Sequence, residues 1–191
     1  MAETTFTELH GKYSYQNKQR RIYTGSSAAG GIALIAPATG GGHPTLFLPS
    51  SSTRNVSLVR LEVSYVSGNN APVGLQWAYT LAAGAAAATG AAILTAVAVN
   101  PVGMLGGSLD NKAIWSPTTN TFTAAPTFFR SAGLSLFTGV AATAAAPFTM
   151  RADYDGDFMI APGTAVSLTT QGATTTSLFQ VSVTWEEIDA A

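Results

Sequence analysis

Apolar and polar side chains alternate with a period of two along several stretches of this chain. Val59, Leu61, Val63 and Tyr65 are interleaved with Arg60, Glu62 and Ser64, so an extended backbone puts one row on a core and the other in solvent. Val73, Leu75, Trp77 and Tyr79 alternate in the same way with Gly74, Gln76, Ala78 and Thr80. The segment 67–72 between them is rich in turn formers, which predicts two successive antiparallel strands. Near the end, Phe179, Val181, Val183 and Trp185 form one row and Gln180, Ser182, Thr184 and Glu186 the other. A short strand carrying Val166 and Leu168 is bracketed by Pro162-Gly163 and Gln171-Gly172.

Shorter apolar runs at Ile32 to Ile35, Leu46 to Leu48, Phe128 to Phe129, Leu134 to Phe137 and Phe148 to Met150 are separated by Gly, Pro, Ser and Thr clusters. Many short strands with frequent turns predict an all-β, antiparallel sandwich or barrel. Helix signals are few. The tract from Ala82 to Ala98 is rich in alanine, but Gly84 and Gly90 each weaken a helix by about 1 kcal/mol. Thr89, Thr95, Val97 and Val99 favour extended structure, and a short helix from Ala85 to Ala92 is the alternative. The same tract has no charge, yet its small residues contribute too little transfer energy for a membrane span.

Residues 1–24 read differently, being polar, basic and rich in Tyr and Gln, and are expected to form an extended N-terminal arm, able to contribute one edge strand, ahead of a sandwich at 25–191. A length of 191 residues fits one such domain. Charge then changes the picture. Charged residues make up 10% of the chain, against about 25% for soluble domains. None occurs from Val63 to Leu109 or from Phe158 to Trp185. A lone domain usually surrounds itself with solvated charge, so the deficit argues that neighbouring subunits cover much of the surface.

Net charge is −1, which gives no overall attraction to nucleic acid or an anionic membrane. The distribution is uneven: Lys12, Lys18, Arg20 and Arg21 fall in the stretch Leu9 to Thr53, which has no acidic residue, while Glu186, Glu187 and Asp189 lie near the end. The chain has no cysteine, which removes disulfides, thiolate zinc sites and thiol catalysis. Its start, Met-Ala-Glu-Thr-Thr-Phe, lacks the basic residues and apolar run of a secretory signal, so export by that route is not expected.

Candidate chemistry is sparse. Asp153, Asp155 and Asp157 stand ahead of or around Gly156, an arrangement of oxygen ligands that raises calcium. The helical calcium loop requires Gly at its sixth position and Glu at its twelfth; here Gly156 is fourth and Thr164 twelfth. A hairpin or corner turn, with the aspartates bonding local N–H groups, is the better reading. Neither His10 nor His43 is directly adjacent to an acidic residue in sequence, and no Gly-x-Ser-x-Gly elbow is present. The glycines at 40–42 lack the Lys-Ser/Thr of a phosphate loop. Glu186 and Glu187 point to opposite faces of any strand. The expectation is a protein that is not an enzyme and needs no cofactor; a hydrolase built on the aspartates is the weaker alternative. Among aromatic residues, Trp77 and Trp185 are in phase with a core. Trp115 sits in a loop-like segment and is expected to be an exposed contact, with Phe128, Phe129 and Arg130 forming either a similar patch or part of the core cover.

From Asp155-Gly-Asp-Phe-Met-Ile-Ala-Pro-Gly-Thr-Ala-Val-Ser-Leu168 to Phe179-Gln-Val-Ser-Val-Thr-Trp-Glu-Glu-Ile188, the chain resembles the ending of many virion proteins of tailed bacteriophages. Those proteins close with a strand, a Pro-Gly turn, another strand and a final Trp-Glu-Glu-Ile-like strand. The resemblance implies a jelly-roll-like sandwich, commonly trimeric, mounted on the head as a decoration or cement protein. Its implied partners are further copies of itself and the major capsid protein, on a particle assembled in the host cytoplasm, with Lys12, Lys18, Arg20 and Arg21 as anchors to the capsid. The alternative is a tail or fibre accessory protein, including a glycan-binding module that would use Trp115.

Overall fold

The structure, a computed structural model, describes residues 21–41, 43–68, 73–81, 102–103, 110–117, 120–122, 124–136, 148–172 and 177–190. The strands are β1 (Ile22–Ser26), β2 (Gly40–Gly41), β3 (Thr45–Leu48), β4 (Arg54–Ser67), β5 (Val73–Leu81), β6 (Val102–Gly103), β7 (Ile114–Ser116), β8 (Asn120–Thr121), β9 (Thr127–Leu136), β10 (Thr149–Asp153), β11 (Met159–Ile160), β12 (Thr164–Thr170) and β13 (Leu178–Asp189). No helix occurs among the described residues. The expected alternatives for Ala82 to Ala98 lie outside them.

Two antiparallel sheets face each other. The first has the order β10-β4-β13-β1-β6, with β11 also on β4, and the second β7-β3-β12-β5-β9; β2 and β8 form a small separate ribbon. The first is organised around β4 and β13, which run side by side from Arg54↔Asp189 to Ser67↔Leu178. Strand β13 carries the strict alternation read from the sequence, with Phe179, Val181, Val183 and Trp185 buried; β4 alternates from Val59 to Tyr65, but a register shift opposite Thr184 and Trp185 leaves Val59 without a partner on β13 and places Leu58 in the core with Leu61. The second sheet is organised around β12, which pairs with β3 on one side and β5 on the other.

Between the sheets lies one core that includes Leu46, Leu58, Leu61, Leu75, Leu168 and all three tryptophans, Trp77, Trp115 and Trp185. Burying a side chain of this size removes enough apolar surface from water to stabilise the fold by about 1.5–3 kcal/mol, so these residues fix how the sheets face.

Three expectations change. The strands β4 and β5 are not a hairpin: β4 belongs to the first sheet and β5 to the second. Leu75, Trp77, Val63 and Tyr65 accordingly meet in the core from opposite sheets. The runs at Phe128 to Phe129 and at Leu134 onward are one strand, β9. Ile32 to Ile35 makes no strand; Ile32 contributes a single bridge to Phe179.

Part of the range expected to be an arm forms a strand. Ile22, Tyr23 and Thr24 pair with Glu186, Trp185 and Thr184, so this part of the expected arm is a strand of the sandwich, lying between β13 and β6. Tyr23 is buried and its ring lies 5.9 Å from that of Trp185, which explains why a chain segment of polar composition joins the sheet here. Residues 1–20, including Lys12, Lys18 and Arg20, lie outside the described residues.

Charge is partitioned between the layers. Arg130 is the one charged residue in the strands of the second sheet. The outer surface of the first sheet carries Arg60, Glu62, Arg151 and Asp153 in a lattice of ion pairs.

Candidate functional site

The most distinctive surface begins with an irregularity in β9. Arg130 stands opposite Trp77 and Phe128 opposite Ala78, so Phe129 is an extra residue with no partner on β5. A bulge of this kind bends the strand and re-aims side chains. Both phenylalanines end up about half exposed, Phe128 at 55% and Phe129 at 50%. They leave the strand on different sides. Ala78 alternates with the core residue Trp77, so Phe128, sharing a face with Ala78, projects from the outer surface of the second sheet. Phe129 turns inward, its ring 5.4 Å from Phe158 and 6.1 Å from Tyr79.

On that inward side the sandwich is open. A cleft of about 320 Å³ is lined from the second sheet by Tyr79 and Leu81 of β5, Phe129 of β9 and Thr164 and Val166 of β12. Phe158, Met159, Ile160 and Ala161, in and beside β11 of the first sheet, form its other wall. No lining residue carries a charge. At the rim Leu81 and Met159 are exposed, and Arg130 and Asp157 neutralise one another at 3.2 Å. Large apolar side chains exposed together mark surfaces that meet something else, and the lining suits an uncharged, apolar occupant.

The three aspartates belong to the structure of this wall. Both β10 and β11 pair with β4, between Thr149↔Ser64 and Ile160↔Val56, so the intervening residues are an excursion within one edge, not a hairpin. The excursion turns on Asp155 and Gly156, both at positive φ (49° and 90°), with the Asp157 N–H donating to the Tyr154 carbonyl at 2.9 Å. These are the features of a primed turn, for which Asp-Gly is favoured. Tyr154 and Phe158 point into the core while the aspartates stay exposed.

The carboxylates diverge. Asp153 receives Arg60 and Arg151 at 2.9 and 2.8 Å, and Asp157 receives Arg130; each thus meets cations of its own side of the turn instead of converging on one point. Bonds from Arg151 and then Arg60 hold the Asp153 carboxyl below its usual pKa. Tyr154 is the anchor of the excursion: its hydroxyl accepts the Trp77 indole N–H at 2.8 Å and donates to the Ala132 carbonyl at 3.0 Å. Burial pushes its pKa up to about 12. The Arg130 guanidinium covers the Tyr154 and Phe158 rings at 5.8 and 5.4 Å from their centroids.

A second polar cluster lies where β4 begins and β13 ends. Glu187 is fully buried, and its carboxylate accepts the backbone N–H groups of Lys112 and Ala113 at 2.9 Å. Arg54 reaches it at 3.2 Å and Asp110 at 2.7 Å. Asp110 also pairs with Lys112 at 2.8 Å, and these bonds, Lys112 first, lower its pKa. Arg21 pairs with Asp189 at 2.8 Å, and its carbonyl accepts the Glu187 N–H. The basic end of the arm and the acidic end of the chain therefore meet within one copy, and Arg21 is tied to its own C-terminal strand. The cluster is a clasp that fastens loop 110–113 to the first sheet, with Glu187 buried at its centre and Asp110 exposed at its edge.

Trp115 corrects its expectation. It is fully buried in β7, pairing with Leu46 of β3, and its ring lies against Gly25 of the opposite sheet. Its polar neighbours in sequence gave it the look of a loop, but β7 is a short edge strand that turns this one ring inward. His43 is also buried, 5.8 Å from Phe122. Burial lowers its pKa, and neither ring nitrogen has a hydrogen-bond partner among the described residues.

Of the residues singled out in the sequence, Phe128 and Phe129 are therefore placed at the apolar surface, while Trp115 and Arg21 are used in holding the sandwich together. The cleft and Glu187 were not anticipated. Comparison of the chain with protein-family models, with curated proteins and with solved structures returns no match. The molecule is an all-β sandwich, and its class is defined by the fold and by this surface.

Proposed function

We propose that the protein is a non-enzymatic structural component of a tailed-bacteriophage virion, a head decoration protein that binds further copies of itself and the major capsid protein. The observation that carries the reading is the uncharged cleft with Leu81, Phe128, Phe129 and Met159 exposed at and around it, in a chain with 10% charged residues. An exposed apolar surface of this kind marks a site that meets another molecule.

Strand order supports the rest. Setting aside the short strands, β1-β13-β4-β10 faces β3-β12-β5-β9, the eight-stranded arrangement of a jelly roll, a fold used by viral capsid and lectin domains. Fold alone does not assign function; the phage setting rests on the resemblance of Asp155 to Ile188 to virion proteins. In this reading the task is mechanical: burying apolar surface across neighbouring subunits adds cohesion to the shell, and permanent interfaces of that type often exceed about 2,000 Å². Lys12, Lys18 and Arg20 anchor the arm on the capsid lattice, and neither nucleic acid nor membrane is a partner.

The test is density-gradient sedimentation of a source lysate, with this chain quantified by mass spectrometry against the major capsid protein in each fraction. Co-migration with particles at near-equal stoichiometry is expected. A few copies per particle would move the protein to the tail or fibres, and absence from particles would refute the virion reading.

A further inference from the structure

The imidazole of His43 takes no part in the apolar surface, and its surroundings do not support a charge. It is fully buried, neither ring nitrogen has a hydrogen-bond partner among the described residues, and the ring packs 5.8 Å from that of Phe122. The network at its backbone, formed by Thr45 of β3, Ser116 of β7, Asn120 of β8 and Ser167 of β12, is buried and bonded within itself. None of these side chains is titratable. Burial is the largest influence on the ring, the Ala38 backbone favours its charged form less than burial opposes it, and no charged side chain among the described residues acts on it. A proton added there would be a buried charge with nothing to pair it, a state that proteins avoid by staying neutral or by exposing the group.

The loop that carries His43 can expose it at little cost to the rest of the fold. The Thr170 N–H donates to the Ile35 carbonyl and the Leu168 N–H to the Pro44 carbonyl, each at 3.0 Å. The chain thus leaves β12 after Ile35 and returns at Pro44, beside the point of departure. Ends held this close are the plan of an Ω loop. Between the anchors Ala36, Pro37 and Ala38 are half-buried and Thr39 is exposed. The far side is fastened by the pairs Gly40↔Thr121 and Gly41↔Asn120 and by the Phe122 N–H, which donates to the Thr39 carbonyl at 2.6 Å. The His43 carbonyl also accepts from Asn120 and Thr45. A ribbon of two residue pairs, separate from both sheets, has little stability of its own. We propose that β2 and His43 form a latch released by mild acid: a proton on the His43 ring drives the ring and β2 away from β8, while Ile35 and Pro44 stay fastened to β12.

The direction follows from linkage. In the open loop the ring has its ordinary pKa of about 6.5, and in the closed loop burial holds it lower, so opening takes up a proton. Below about pH 6.5 the opening constant therefore rises about tenfold per pH unit, until the closed-state pKa is reached. Global unfolding offers the ring the same proton but breaks the whole core, so the local route is the cheaper one. Release bares the Phe122 ring, which the closed loop buries.

The experiment is amide hydrogen exchange of the full chain near pH 7.5 and near pH 5.5, read residue by residue by NMR and corrected for the intrinsic pH dependence of exchange. The Phe122 N–H reports the latch, the Leu168 and Thr170 N–H groups report the anchors, and the Leu58 N–H, bonded to the Phe158 carbonyl, reports the core. Protection of Phe122 is expected to fall about tenfold at the lower pH, with the other three unchanged. In His43→Leu, which has no proton to take up, Phe122 is expected to keep the same protection at both pH values. His43→Gln provides a second non-titrating variant should His43→Leu fold poorly. Phe122 protection that does not change in the wild type, a fall shared equally by Leu168 and Leu58, or a fall that persists in the folded variant overturns the proposal. The particle co-sedimentation above tests the virion reading separately.

Discussion

The ring of Trp115 lies so close to the backbone of Gly25 that a methyl group added to that glycine would come within 2.5 Å of ring atom Cδ1. Gly25 belongs to β1 of the first sheet and Trp115 to β7 of the second, so this contact sets the spacing of the two layers at one side of the sandwich. The expected consequence is that Gly25→Ala destabilises the protein by about 1–3 kcal/mol, the usual cost of overpacking a filled core. Urea unfolding followed by tryptophan fluorescence measures it. A midpoint equal to that of the wild type would mean that the ring moves aside freely.

Tyr154 makes the protein sensitive to alkali. Its folded pKa is raised to about 12 by burial, against about 10 for the unfolded chain, so the folded state resists losing this proton. The associated stability is fully present below pH 10 and is lost as pH rises toward 12. Tyr154→Phe is expected to flatten the alkaline limb of a stability–pH curve. It also leaves the Trp77 indole N–H without its hydroxyl partner, lowering stability near neutral pH by about 1–3 kcal/mol.

His43 acts at the other end of the scale. Burial lowers its pKa, so between that value and about 6.5 the unfolded chain binds a proton that the folded chain does not. Stability is complete above pH 6.5 and declines as pH falls through this window, well before Asp110 and Asp153 begin to protonate, since their pKa values lie below 3.8. Equilibrium unfolding between pH 7 and 5 should show the slope in the wild type and its loss in His43→Leu.

How far the sequence could reveal this molecule depends on the range of the information. The strands β4, β5 and β13 were legible because alternation is local and each has a long, regular row of apolar residues. Which sheet each joins was not, since Tyr65 and Val73 read the same whether the turn between them closes a hairpin or crosses between layers. Trp115 was misread for a related reason: Asp110, Asn111 and Pro117 dominate its neighbourhood, while its burial comes from Gly25, far away in the chain. The cleft needs β5, β9, β11 and β12 to converge, which no single segment encodes. Glu187, by contrast, was within reach, because it is in phase with the buried row that ends at Trp185.

That phase makes Glu187 the most consequential acid in the molecule. Its carboxylate is fully buried and is satisfied by the Lys112 and Ala113 N–H groups together with Arg54. Removing one partner of such a group leaves the others buried and unpaired, at a cost of about 3–5 kcal/mol. Arg54→Met should therefore be severe, and Glu187→Ala likewise, whereas Glu187→Gln keeps an acceptor for the backbone and should cost less. The double variant Arg54→Met with Glu187→Gln removes both charges together, so its destabilisation should fall short of the sum of the two single changes. Urea midpoints of the four proteins decide it: strict additivity would mean that Arg54 and Glu187 act independently and that the backbone bonds alone hold loop 110–113 in place.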